Sequence, residues 1–575
     1  MRRRFTAEHF FLFLVLATVT LLMAGQMWGT AFTCEDDMYT ATAWQRLGGN
    51  AHGWPAVWSA SWHISVFTGR FYQLFAYTLT QVPYRIGSFE LVNAIRIGTM
   101  LFVFASFAAM LASVTRSLTL ALYCSILCAG LIETRYNYNA FHAYPLWFSL
   151  GFGILFVAIL LFQEGMVRGK HSLIYGASVA YFVSLLFYES ILLYSIVFFA
   201  LAYIHNRVLP GTRIAAAARA LARVWPCGAS AALYVLLYVG FSYRYPGSYT
   251  GKVLSFASFS QVTRTIGGFS LTGLNLRGIL PVNRQWSAIS ILAALLIASA
   301  AFWAMRRLTR ELAPRRLLTI GGLALICMFL PNILYGFSER YRHWPANFDS
   351  FYLGSFYSGF AEAVVIATIS LLIVRGAARL RLAGALAVVV AVFFAIATYS
   401  NVSMTVAFYR VHRENRKIWD LVEASISATG GPSQAAVLVA PGLNQMKQLD
   451  PSVYNYWDYY FSEKLRRPLR VVGQLSEFRS LPQEMQAGPV FAFVCRYFPE
   501  SQAGLFAFGP LDLDLWTHEG RMVAHDVRIG VLGGGSLSVY EETAGAPPGK
   551  MLHHAARLFV IEDQPVGLNG LVLRP

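Results

Sequence analysis

The chain has 575 residues, 56% of them hydrophobic and 13% charged, with a mean hydropathy of +0.49. A soluble protein carries about 25% charged residues, so this composition points to a polytopic membrane protein and rules out counting soluble domains by length. The formal net charge of +17 suits basic loops on one side of a membrane. No nucleic-acid motif or basic stripe interleaved with aromatics accompanies it, so no nucleic-acid partner is expected.

Met1-Arg2-Arg3-Arg4 precedes an uncharged run from Phe10 to Phe32. The run is long enough to span a bilayer, which takes about 20 apolar residues. No convincing small-residue cleavage site precedes Cys34, so the segment reads as an uncleaved anchor. Three consecutive acids, Glu35-Asp36-Asp37, follow it directly. Charge a few residues from lipid is costly unless it is solvated or used. A plain stop signal in a polar loop is the alternative.

Apolar windows predict about eleven spans: 10–32, 89–113, 117–132, 145–163, 172–187, 190–204, 224–241, 288–304, 317–335, 361–374 and 382–400. Between the fifth and sixth, a break at Tyr188-Glu189-Ser190 is expected, because a continuous helix would bury Glu189 in mid-membrane. One set of alternate loops carries eighteen basic residues against only Glu8, Glu164 and Glu311. The positive-inside rule makes that set, and the N-terminus, cytoplasmic. Loops 33–88, 133–144, 188–189, 242–287 and 336–360 are then extracytoplasmic, as is the C-terminus. Loop 242–287 fits least well, with five basic residues and no acid.

Loop 33–88 is long and aromatic. Trp44, Trp54, Trp58 and Trp62 lie among polar residues, as in helices resting at a membrane interface. After residue 400 the composition changes. The sequence predicts a membrane part over 1–401 and an extracytoplasmic mixed α/β domain over 402–575. That domain starts with an amphipathic helix over 404–428, stopped by Gly430-Gly431-Pro432. Strands are expected at 435–440, 469–472, 489–494, 527–532 and 536–540, with a helix over 454–465 and a turn at Gly533-Gly534-Gly535. There is no Walker A loop, dinucleotide fingerprint or Ser-His-Asp signature. Of six cysteines, Cys124 and Cys128 lie one helical turn apart and read as packing residues. No Cys/His array has zinc spacing.

With this topology, polar groups converge on the outer face. Loop 33–88 supplies Glu35, Asp36, Asp37, His63 and Arg70, and loop 133–144 supplies Glu133, Arg135 and His142. The break at 188–189 supplies Glu189, and loop 336–360 supplies Glu339, Arg340, Arg342, His343 and Asp349. A carboxylate base, cations for an anionic leaving group and aromatic walls suit sugar transfer from a polyprenyl phosphate. The acid takes the proton of an acceptor hydroxyl as its oxygen attacks the anomeric carbon. Arginines stabilise the departing phosphate. Direct displacement inverts the anomeric centre and needs one carboxylate. Each group also has a plainer role. Arg340 and Arg342 can snorkel to headgroups or pair with Glu339. Glu189 can cap a helical turn, and His142 and His343 can be structural.

The segment Cys-Glu-Asp-Asp-Met-Tyr at 34–39, directly after the first span, resembles the acidic pair of the GT-C superfamily of integral-membrane glycosyltransferases. Phe67-Thr68-Gly69-Arg70-Phe71 resembles the Gly-Arg element of bacterial O-antigen glucosyltransferase-like members. The resemblance covers the chain in architecture and about 40 residues in motif. It implies a GT-C-like fold, a polyprenyl-phosphate sugar donor and a base at the first acid of the pair. Three acids in a row leave the register open between Asp36, Glu35 and Asp37, with Asp36 favoured. Expected donor-phosphate or substrate contacts are Arg70, Arg135, His142, Glu189, Arg340, Arg342 and His343. The enzyme expected is a hexosyl- or pentosyltransferase of the bacterial inner membrane, acting on a glycan, lipid-linked or protein acceptor. No cofactor is firmly implied; some members bind a divalent cation through acidic motifs. Asp512-Leu513-Asp514 has such spacing but reads as a solvated turn or strand edge. The competing expectations are an O-antigen ligase or polymerase centred on loop 336–360, and a polytopic transporter.

Overall fold

The computed structural model describes residues 6–429 except 33–34, 48–52, 87, 135–138, 145, 208–211, 255–257, 275–286, 342–352 and 379. Beyond 429 it describes mainly 436–440, 468–472, 475–498, 503–511, 522–524, 528–533, 536–541 and 571–573. The chain is a polytopic α-helical membrane protein with a C-terminal α/β region. It divides into two compact units, Met1–Trp28 with Leu47–Phe408, and Gly29–Arg46 with Tyr409–Pro575.

In the first unit, α1 spans Ala7–Gly25 and is opened by a Thr6 capping box with His9. The long loop after it holds α3 (Trp54–Thr68) and α4 (Gln73–Ile86). Next come α5 (Phe89–Thr115), α6 (Leu118–Leu131), α7 (Phe148–Arg168) and α8 (His171–Leu185). A 3-10 turn at Glu189–Tyr194 leads into α9 (Ser195–Arg207), then α10 (Arg213–Arg244) and α11 (Phe259–Ser270). The bundle ends with α12 (Ala288–Glu311), α13 (Pro314–Phe337), α14 (Leu353–Ala378) and α15 (Ala383–Thr429), whose residues up to Phe408 belong to this unit. Among the described residues nine helices are long and apolar enough to cross a membrane, and Leu118–Leu131 and His171–Leu185 are shorter apolar helices. Together they fall on the eleven predicted spans. The chain also leaves helical geometry at Tyr188, as expected, and puts Glu189 at the head of the 3-10 turn.

Buried polar groups tie the helices together. Asn332 donates to Ser270 and Ser358 at 2.9 and 2.7 Å. Ser178 donates to the Pro226 carbonyl at 2.6 Å, and Asn401 donates to the Gly130 and Ile132 carbonyls. Such bonds between membrane helices contribute about 0.6–2 kcal/mol each. Side chains such as Leu236, 71% exposed on α10, and Leu295, 62% exposed on α12, suit a lipid surround. On α3, Trp54, Trp58 and Trp62 recur every fourth residue and are all exposed. That stripe is what an interfacial helix presents. Cys124 and Cys128 are buried in α6, as packing residues should be.

The loops assigned to the cytoplasmic side gather at one end of the bundle. Arg307 pairs with Glu8 and with Glu311. Arg116 and Arg168 share Glu164 at 3.3 and 2.9 Å. Arg375 donates to the carbonyls of Thr309 and Leu312. On a cysteine-free background, Ser480→Cys should react with an impermeant maleimide in intact cells and Arg310→Cys should not, given the bias of basic loops. The opposite labelling would invert the topology.

In the second unit, α2 spans Glu35–Leu47, so the three acids are the first three residues of a helix. Their side chains lie outside the described residues. The helix expected over 404–428 is not separate: α15 continues the last span without a break to Thr429, just before the Gly-Gly-Pro stop. Among the described residues the strands are β1 (Ala436–Val439), β2 (Leu469–Val472), β3 (Val490–Phe498), β4 (Ala503–Pro510), β5 (Met522–Ala524), β6 (Arg528–Gly533), β7 (Ser536–Glu541) and β8 (Leu571–Leu573). Six form a sheet in the order β2-β1-β3-β4-β6-β7. β1 is parallel to β2 and β3, whereas β3, β4, β6 and β7 pair antiparallel. The sequence did not predict β4, whose Gly504 and Gly509 weaken a strand signal. Gly533 faces Ser536 across the β6–β7 hairpin, where the glycine turn was expected. Most of 454–465, with Asp512 and Asp514, lies outside the described residues.

Candidate functional site

Arg70 stands on a rigid turn. Helix α3 ends at Gly69, which takes a left-handed φ of 69°, with its N–H turned back to Ser65 and Val66. The Arg70 N–H follows to the Ser65 carbonyl at 3.0 Å. The last turn of α10 and the segment after it are laid against this turn. The Ser248 N–H donates to the Phe67 carbonyl at 2.8 Å, and the Ser242 hydroxyl donates to the Gly69 carbonyl at 2.6 Å. A Cβ at Gly247 would sit 2.5 Å from the Gly69 nitrogen. Only glycine permits that approach, and its φ of +61° also favours glycine.

The Arg70 side chain is buried, 5% exposed. One Nη2 lies 2.7 Å from Oε1 of Glu189. Its guanidinium lies 4.2 Å over the Tyr249 ring. Arg70 Nε and the second carboxylate oxygen of Glu189 are buried with no hydrogen-bond partner. Burial pulls the Arg70 pKa down, but the Glu189 carboxylate together with Tyr72, Tyr249 and Tyr188 outweighs it, so the net shift is upward and the guanidinium stays charged.

Arg340 reaches the same phenol, with its guanidinium 5.0 Å over the Tyr249 ring. It is exposed, and its segment is tethered. The Glu339 N–H donates to the Val253 carbonyl at 3.0 Å, and the Ser338 hydroxyl donates to the Gly251 carbonyl at 2.8 Å. Phenols surround the pair of cations. Tyr249 and Tyr341 hydroxyls lie 3.1 Å apart, and those of Tyr188 and Tyr335 lie 2.5 Å apart. Tyr72 packs edge-on to Tyr188, and burial pushes its pKa up, so it stays neutral. Such an arrangement offers two cations, one carboxylate and aromatic faces at one end of the bundle. It can hold a phosphate and stack a sugar ring.

Of the predicted residues, the structure brings Arg70, Glu189 and Arg340 together. His142 is fully buried, and its carbonyl takes the Nε of Arg96 at 2.9 Å. Arg96 also donates to Asn93 and Tyr84. Burial and that cation lower the His142 pKa, so its imidazole is neutral. His63 is exposed on α3, and the Glu133 N–H turns to the Gly273 carbonyl at 3.5 Å. Arg135, Arg342, His343 and Asp349 lie outside the described residues, as do the side chains of Glu35, Asp36 and Asp37. Sequence reasoning missed Tyr249. The available signal was Arg244-Tyr245-Pro246-Gly247-Ser248-Tyr249, an aromatic turn in the basic loop that fitted the topology least well. Among the described residues no group of three or more His, Cys, Asp or Glu could hold a metal ion.

No protein-family model matches the sequence, and no curated protein matches it. Two solved structures of ArnT from Cupriavidus metallidurans align with it at low similarity. One, bound to undecaprenyl phosphate, gives a TM-score of 0.36 and 14% identity over 85% of this chain and 93% of that chain. The apo state gives 0.35 and 13% over the same shares. At this distance neither match carries weight for fold or chemistry.

Proposed function

We propose that this chain is a bacterial inner-membrane glycosyltransferase. It moves a hexose or pentose from a polyprenyl phosphate to an extracytoplasmic glycan, lipid-linked or protein acceptor. The observation that carries the reading is the meeting of Arg70 and Arg340, 270 positions apart, on the Tyr249 ring, with Glu189 on Arg70. Both arginines come from loops assigned to the same outer face. The position of Glu35-Asp36-Asp37 supports it: they open a helix just past the first span, where the macrodipole favours negative charge. The resemblance of residues 34–39 and 67–71 to GT-C glycosyltransferases, the O-antigen glucosyltransferase-like ones among them, points the same way.

In this reading one of the three acids, Asp36 first, accepts the proton of the acceptor hydroxyl. The hydroxyl oxygen attacks the anomeric carbon, and the bond from that carbon to the phosphate oxygen breaks with inversion. Polyprenyl phosphate leaves carrying the electron pair. Arg70 and Arg340 stabilise its charge, and charge placed in advance is usually the largest catalytic contribution. Glu189 keeps Arg70 in position and presents its second oxygen to substrate.

The test is to incubate purified full-length protein with a panel of polyprenyl-phosphate hexoses and pentoses and an envelope-glycan extract. Free polyprenyl phosphate and a glycosylated acceptor should appear together. Use of pyrophosphate-linked glycan donors alone would move the ligase or polymerase reading ahead. Passage of substrate across proteoliposomes with no bond broken would establish a transporter.

A further inference from the structure

A cavity of about 520 Å³ lies between α5, α7, α9, α13 and α14, outside the cluster around Arg70. Its walls are almost wholly apolar, but one end is basic. Arg116, His205 and Arg316 line that end, and Tyr194 and Tyr357 line the other. Arg116 uses Nη1 on Glu164 at 3.3 Å, while its Nη2 is buried without a partner. Arg316 donates to the Thr115 carbonyl. Glu164, the acid at this end, is already shared with Arg168 and Ser113, so the rim keeps a positive excess.

Length narrows the occupant. Along α5 the lining runs from Phe107 to Arg116, and along α13 from Arg316 to Cys327. At 1.5 Å per residue these are about 14 and 16 Å, half of a hydrocarbon core of about 30 Å. The cavity is one leaflet deep. Its tyrosine end is closed: Tyr357 stacks on Tyr188 at 5.9 Å, and the Tyr188 hydroxyl meets that of Tyr335. A lipid therefore enters from the basic end. Val167 and Ile204 of the lining, 45% and 42% exposed, give it a lateral way in.

We infer that this cavity is a binding site for an anionic glycerophospholipid of the leaflet opposite the Arg70 cluster. One acyl chain fills the apolar shaft, and the phosphate rests against Arg116 and Arg316. The bound chain fills a void in the bundle and stabilises the folded state by mass action. The site is independent of the proposed sugar transfer and holds or fails without it.

Thermal unfolding and native mass spectrometry of delipidated full-length protein test it, with phosphatidylglycerol and phosphatidylcholine of identical acyl chains. Phosphatidylglycerol should raise the unfolding temperature and bind in preference. Arg316→Gln, which keeps a donor for the Thr115 carbonyl, should weaken phosphatidylglycerol about fivefold, the usual worth of one basic residue near an anionic surface. Ala324→Phe, which fills the shaft, should abolish binding and leave the lipid-free unfolding temperature at or above wild type. Equal stabilisation by phosphatidylcholine would overturn the inference, as would phosphatidylglycerol binding that survives Ala324→Phe. Displacement of phosphatidylglycerol by polyprenyl phosphate, undiminished by Arg316→Gln, would assign the shaft to a carrier tail and overturn it too.

Discussion

Asp36→Asn should abolish sugar transfer while the protein folds and binds donor as the wild type does. The exchange keeps the side chain's shape and removes only its capacity to take a proton. General-base catalysis contributes about 10²–10⁴-fold, so residual turnover should fall by that factor. Asp36 is the second residue of α2, between Glu35 and Asp37. The resemblance gives the base to one acid of the three. Glu35→Gln and Asp37→Asn should therefore show much smaller losses, and the most severe variant fixes the register. Rates with a polyprenyl-phosphate sugar, read beside the unfolding temperature, are the measurement. Near-normal transfer by all three variants would remove the base from this segment and favour loop 336–360.

Arg70→Ala should cost both stability and activity, and the two losses can be separated. The Arg70–Glu189 pair is nearly dry, with side chains 6% and 18% exposed at 2.7 Å. Removing one partner of a buried pair costs about 3–5 kcal/mol, because the other charge stays behind uncompensated. Adding Glu189→Gln to Arg70→Ala should return most of that stability. Transfer should not return, since the cation meant for the phosphate is still missing. Arg70→Ala should weaken donor binding as well as turnover, because a phosphate contact exists in ground and transition states alike. A double variant as unstable as the single would show that the lost stability does not come from stranding Glu189. A double variant with full activity would place Arg70 in the scaffold alone.

Hydropathy alone placed the membrane helices. A span needs about 20 apolar residues whatever it packs against, so α5 or α12 declares itself locally. The break at Tyr188 was legible for a related reason: a carboxylate such as Glu189 does not sit within a continuous span without help. Composition also marked the mixed α/β region and five of its strands, since alternating apolar runs bounded by glycine and proline are local signals. Tertiary structure decided the rest. Tyr249 had no mark of its own, because its importance lies in standing under both Arg70 and Arg340. Those three residues share no local pattern. They meet because Gly247 lets one backbone lie against the Gly69 turn and because residues 338–339 bond to 251–253. Strand β4 was hidden for the same reason, being held by its ladders to β3 and β6 rather than by its own residues. The sequence could thus name charged candidates by type and by side of the membrane. Which of them touch depends on close approaches between distant segments, and no local periodicity encodes those.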